Sequence, residues 1–131
     1  MINLYKGKIK IIERLKMKLR KECTCPLEIT HDILKGKWKT VILWQLRYYG
    51  KASLSQLEKD IKGISQKMLL QQLNELREFG LVDKIQYEGY PLKVEYFLTE
   101  GRGEKIIKAL EIMQEVGQEY INERIKNIGA E

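Results

Sequence analysis

Apolar residues recur every three or four positions through most of this chain, and every second position in one stretch near residues 81–98. The first period belongs to helices that bury one face, the second to strands. Ile9, Ile12, Leu15 and Leu19 predict an amphipathic helix over 7–22. Two further helices are expected over 26–35 and 37–48, broken at Gly36, with Trp38, Val41, Ile42 and Leu46 as the buried stripe of the second. Gly50 then reads as a left-handed C-terminal cap. Residues 51–54 form a short extended piece, and Ser55 caps a helix over 56–61 by accepting a backbone N–H that the first turn leaves unpaired. Gly63-Ile64 makes a tight turn, and Ser65 is a second cap, opening a helix over 66–78 that Gly80 closes. After Gly80 the period changes to two, predicting paired strands over 81–87 and 93–98 joined by the turn Glu88-Gly89-Tyr90-Pro91-Leu92. Thr99 caps a last helix running to about residue 128, with Ile106, Leu110, Met113 and the pair Tyr120/Ile121 on its apolar face, reinforced by Ile107 and Val116.

A helix, a short glycine-containing turn and a second helix make the helix-turn-helix layout. A β-hairpin directly after it makes the layout a winged helix, so the expected fold class is α+β and mostly helical. The helix over 66–78 carries Leu69, Leu73 and Leu76 on one face, while Lys67, Gln71 and Asn74 point the other way with a bare Leu70 among them. A solvated helix usually mixes Lys and Glu on its outer face, so amides and a leucine call for another explanation. Duplex DNA supplies one. Its major groove, about 12 Å wide, admits one α-helix, Gln and Asn amides match adenine bidentately, Lys serves guanine or phosphate, and an apolar side chain meets a thymine methyl. The helix N-terminus at Ser65 favours a phosphate through its free N–H groups and its dipole. Lys93 in the wing, with Lys37 and Lys39 before the core helix, are phosphate candidates, although exposed lysines also serve as plain solvated charges. Tyr87 flanks the wing turn, where strand packing is its expected role.

Charge changes this picture less than the totals suggest. The net charge is +6, but residues 1–22 alone hold eight Lys/Arg against Glu13 and Glu22. From totals of 24 basic and 18 acidic residues, this leaves 16 of each sign over 23–131, so an anion site there must come from local arrangement. The basic helix of 7–22 has three open roles: packing its stripe on a partner's last helix, adding sequence-independent phosphate attraction, or resting on an anionic membrane surface. A hydrophobic content of 44% with no apolar run near the ~20 residues of a membrane span points to an ordinary globular protein. The basic N-terminus lacks the apolar stretch of a secretory signal, so a cytoplasmic setting with reduced cysteines is the expectation.

Little in the chain suggests catalysis. Zinc needs about four ligands, and Cys23, Cys25 and His31 give three at most. Neither paired carboxylates nor a phosphate-cradling glycine loop is present, so neither enzyme activity nor a cofactor is expected. A bridge between Cys23 and Cys25 is strained at this spacing, which makes an intersubunit bridge the expected product of oxidation. A packing role at the helix entry is the plain alternative for Cys25.

Several segments resemble the HxlR family of small winged-helix transcriptional regulators, relatives of the MarR type. They are Cys25-Pro26, Gly36-Lys37-Trp38, GISQKMLLQQLNELREFGLV over 63–82, and PLKVEYFLTE over 91–100. The resemblance covers residues 25–118 or so. It implies a homodimeric DNA-binding repressor or activator with the helix of 66–78 in the major groove and the hairpin as wing. It further implies Ser65, Gln66, Lys67, Gln71 and Gln72 as helix contacts, whereas helical geometry favours Lys67, Gln71 and Asn74, with Leu70 between them. Dimerisation through the N-terminal and last helices places Ile9, Ile12 and Leu19 of the first, and Leu110, Met113 and Tyr120 of the last, at the interface. The implied organisation is a basic N-terminal helix over 1–22, a winged core over 23–98 and a C-terminal dimerisation helix over 99–131. In some relatives the Cys-Pro cysteine senses oxidants or electrophiles, which nominates Cys25; Lys21 nearby would favour its thiolate. The expected function is therefore a dimeric regulator of duplex DNA, open to an oxidant or small-molecule effector. The competing class is a winged-helix protein-interaction module that does not read DNA.

Overall fold

In the computed structural model, residues 19–130 are described. The helices and strands, in chain order, are α1 (Leu27–Ile33), α2 (Lys39–Tyr49), β1 (Lys51–Ala52), α3 (Leu54–Asp60), α4 (Gln66–Glu78), β2 (Val82–Tyr87), β3 (Lys93–Leu98) and α5 (Arg102–Ala130). The expected N-terminal helix, with Ile9 and Ile12, lies mostly outside the described residues. Its last part, residues 19–22, is irregular rather than helical. Arg20 there is clasped instead by Asp32 of α1, with Nε and Nη2 donating to the two carboxylate oxygens at 2.8 and 2.7 Å.

The three strands form one antiparallel sheet in the order β1-β3-β2. β2 and β3 pair along their whole length, from Val82 opposite Leu98 to Tyr87 opposite Lys93. β1 adds two residues on the far side of β3, with Lys51 opposite Phe97 and Ala52 opposite Tyr96. That third strand ends at Ala52, so the chain turns two residues earlier than expected. The cap of α3 is Ser53, not Ser55. The Ser53 hydroxyl accepts the Gln56 N–H at 3.3 Å while the Gln56 side chain accepts the Ser53 N–H at 2.9 Å, a closed capping box. Gly50 takes positive φ at the end of α2, as expected of the stop, but its ψ of −62° lies outside the left-handed helical well.

One core joins the elements. Ile42, Leu43 and Leu46 of α2, Leu57 of α3, and Leu69, Leu73 and Leu76 of α4 are fully buried, with Val82 and Tyr96 of the sheet and Ile107 of α5 closing the cluster. Within α2 the stripe is shifted by one position from expectation, since Leu43 is buried and Val41 is exposed. Leu110, expected at a subunit interface, is only 5% exposed and belongs to the protomer's own core. Leu19 likewise packs against that core. Beyond Leu110, α5 contributes no further buried residue to the core among the described residues. Met113, Val116, Tyr120, Ile121, Ile125 and Ile128 on it are between 47% and 68% exposed. Among the described residues no helix is long and apolar enough to cross a membrane.

Candidate nucleic-acid interface

The candidate surface begins with a cap. Ser65 holds extended φ/ψ, and its hydroxyl accepts the Met68 N–H at 3.1 Å, so α4 starts at Gln66. From there the leucine stripe fixes which side faces in: Leu69, Leu73 and Leu76 have no exposed surface at all. Ser65, Gln66, Lys67, Leu70, Gln71 and Asn74 are all exposed. Lys67, Leu70, Gln71, Asn74, Glu75 and Glu78 together line a shallow depression along the helix. Nothing else in the described protomer covers this side. Leu70, 41% exposed, therefore meets solvent in the free protein.

The β2–β3 hairpin forms the wing. Tyr90 at its tip is fully exposed, and Lys93 leads back into β3. The Lys93 ammonium lies 5.0 Å from the centre of the Tyr87 ring, and 3.9 Å from a Glu95 carboxylate oxygen. The Tyr87 hydroxyl bonds the same carboxylate, which raises its pKa above the ordinary tyrosine value, with desolvation adding to the effect. Tyr87 is thus a half-buried strand residue, in keeping with the packing role expected of it, while the Lys93 side chain stays largely exposed beside it. Lys37, exposed before α2, rests its ammonium 4.5 Å from the Trp38 ring.

Two residues nominated as contacts are engaged elsewhere. Lys39 is 5% exposed, and its ammonium bonds a Glu75 carboxylate oxygen at 2.7 Å and the Gln72 amide oxygen at 2.8 Å. It is not the surface cation that its neighbours suggested. Gln72 correspondingly turns from the exposed row, its amide nitrogen 3.5 Å from the Met68 sulfur. No pattern in the sequence signals this network, because Lys39 and Gln72 are 33 positions apart and meet only through the packing of α2 on α4.

Cys23 and Cys25 are both free and exposed, and His31 is exposed on α1. Arg20, Glu22, Cys23, Thr24 and Glu28 line one small hollow. Among the described residues no group of three or more His, Cys, Asp or Glu is placed to hold a metal ion.

A family model described as HxlR-like helix-turn-helix matches residues 33–125. The chain belongs to the HxlR family. Its relatives agree with that assignment. The HTH-type transcriptional regulator YtcD of Bacillus subtilis is 39% identical over 103 residues, covering 79% of this chain and 80% of that one. A crystal structure of YtcD superposes with a TM-score of 0.69, covering 76% of this chain and 99% of the other. The redox regulator HypR in its reduced form is 35% identical with a TM-score of 0.68, covering 72% and 92% of the two chains. The reduced form of the regulator YodB from Bacillus subtilis is 31% identical with a TM-score of 0.61, covering 70% and 89%. This HxlR-family protein is accordingly a helix-turn-helix transcriptional regulator that binds DNA, and not an enzyme. In it α3 and α4 are the two helices of the motif, and β2 and β3 are the wing.

Proposed function

We propose that the regulator reads an inverted-repeat operator as a homodimer, placing one α4 in the major groove of each half-site. The observation that carries this reading is the uncovered row Lys67, Leu70, Gln71 and Asn74, anchored from behind by three buried leucines and flanked by the wing. Ser65 and Gln66 at the helix start, Lys37 before α2 and Lys93 in the wing supply the flanking phosphate contacts. The partner subunit packs on the exposed apolar half of α5 through Met113 and Tyr120, together with the C-terminal unit to which they belong. An open groove between α2 and α5, lined by Val41, Trp44, Met113 and Ile121, continues that apolar surface and supports the choice.

Selection of bound sequences from a random duplex pool tests the reading. An inverted repeat with half-site centres about 10 bp apart is the expected product. Gln71→Ala should weaken binding to the selected operator by roughly 1–3 kcal/mol while leaving non-specific binding unchanged. Loss of both in equal measure would show that Gln71 does not read bases. Indifference to duplex at low salt would favour the protein-interaction module instead, because phosphate contacts must release counterions.

Cys25 is the proposed oxidant or electrophile sensor. HypR is described as a redox regulator in reduced and oxidised forms, and YodB exists in reduced and diamide-treated forms. Free and exposed, Cys25 is open to such reagents. Diamide should change the operator affinity of the wild type and leave Cys25→Ser unaffected; an equal response in both would end the idea.

A further inference from the structure

The buried leucines set which face of α4 points inward, but they hold the last few degrees of its rotation less sharply than a directional bond does. Leucine contacts are non-directional. Base reading is not so tolerant: a binding constellation must be held within ≈ 0.5 Å of its productive geometry. With an outer helix radius of about 5–6 Å, a rotation of roughly 10° moves a side-chain tip by about 1 Å. A directional contact beside the leucine packing would hold the azimuth of the helix to that tolerance.

Lys39 is placed to do this. It is the first residue of α2, and its side chain lies beneath α4 rather than in solvent. Its ammonium spans Gln72 and Glu75, one helical turn apart on the same edge of α4, at 2.8 and 2.7 Å. The Lys35 carbonyl oxygen lies at 3.5 Å and ties the same nitrogen to the loop before α2. Glu75 in turn borders the exposed row that includes Gln71 and Asn74. A cation at the positive end of a helix, withdrawn from water, sits at an unfavourable place for stability alone. An apolar side chain of similar volume would serve the core as well.

We propose that Lys39 is a positioning residue for DNA recognition, fixing the rotation of α4 through its two directional bonds while neutralising Glu75 beside the phosphate backbone. The inference rests on the reading of α4 as the helix that enters the groove.

The test compares wild type, Glu75→Gln and the double variant Lys39→Met/Glu75→Gln, each measured for melting temperature and for affinity to the selected operator and to a scrambled duplex of equal length. Glu75→Gln removes the carboxylate but leaves Lys39 two amide oxygens to bond, so its ratio of operator to scrambled affinity should fall by less than that of the double variant. The double variant removes both charges of the Lys39–Glu75 pair together, so it should melt close to the wild type. Its ratio of operator to scrambled affinity should nevertheless fall about tenfold or more, the scale of one mismatched base pair. A double variant that keeps the wild-type ratio overturns the proposal. So does a Glu75→Gln variant that loses as much, since the carboxylate itself would then matter, or a double variant too unfolded to bind any duplex, since Lys39 would then be structural support. A wild type that selects no sequence overturns the DNA reading and this inference with it.

Discussion

Gly103, in the first turn of α5, lies tight against the backbone of Leu81 and Leu98. A Cβ at this position would lie 2.5 Å from the Leu81 carbonyl oxygen and 2.9 Å from the Thr99 hydroxyl. The first is backbone and cannot swing aside. Gly103→Ala should therefore cost about 1–3 kcal/mol, the usual penalty of overpacking, read as a lower urea midpoint with an unchanged slope. The Arg20–Asp32 pair behaves in the opposite way. Its geometry is close, yet both groups are solvent-accessible, and such pairs contribute little to global stability. The hydrogen bonds from Arg20, with its charge adding less, hold the Asp32 carboxyl below the ordinary aspartate range. A depressed folded-state pKa means that the contribution is present above the unfolded value and is lost as pH falls through the folded one. Arg20→Ala should thus leave the melting temperature at neutral pH almost unchanged. It should speed amide exchange in residues 19–25, and bring the Asp32 titration, followed by NMR, back up toward the value of a free aspartate. Lys39 shows where single residues become illegible in a sequence. Its neighbours in the chain, Trp38 and Thr40, mark nothing unusual, and only contacts dozens of positions away turn an ordinary surface lysine into a buried one.

At the scale of elements, local chemistry fixed most boundaries. α4 runs over Gln66–Glu78 and β3 over Lys93–Leu98, both as their patterns predict. In each case an amphipathic run is bounded by a cap or a turn whose chemistry admits one reading. The start of α3 is different, since Ser53 with Gln56 and Ser55 with Glu58 both spell a capping box. What decides is that β3 accepts only Lys51 and Ala52 as a third strand, a long-range pairing that the local pattern does not encode. Thr99 reaches into α5 from three residues before it begins: its hydroxyl accepts the Gly103 N–H at 3.1 Å and donates to the Gly80 carbonyl at 2.7 Å. The site was more legible than its surroundings, because one helix with a leucine stripe determines which side chains are left outside. Ser65 is the element-scale control on that helix. Ser65→Ala should destabilise the protein by about 1 kcal/mol, the typical cost of losing an N-cap hydroxyl. Ser65→Asp should restore the stability, since aspartate caps equally well, but should weaken DNA binding if a phosphate approaches this helix start. Thermal melts and duplex titrations on the two variants separate the capping role from the proposed phosphate contact.

The whole molecule is divided by α5. Its first turns, through Ile107 and Leu110, complete the core, while its second half carries six exposed apolar side chains from Met113 to Ile128. Contiguous exposed apolar surface on this scale marks an interaction site, and in the proposed homodimer an isologous contact between two copies would cover it by twofold symmetry. The DNA reading depends on that contact, because one α4 spans a single half-site and the second must be held a fixed distance away. A charge placed on the proposed interface but outside the core should separate the two requirements. Tyr120→Asp, at a side chain 67% exposed in the protomer, leaves the winged fold intact while making the α5 face costly to bury. The variant should sediment as a monomer and keep the wild-type circular dichroism. It should lose far more affinity for the intact inverted repeat than for an isolated half-site. Its dependence of affinity on salt should also become shallower, approaching half the wild-type slope, because a monomer neutralises about half the phosphates that a dimer does. A variant that remains a dimer would place the subunit contact elsewhere on the protein, with the N-terminal segment the next surface to alter. A monomer that binds the full operator as tightly as wild type would mean that the two half-sites are read independently.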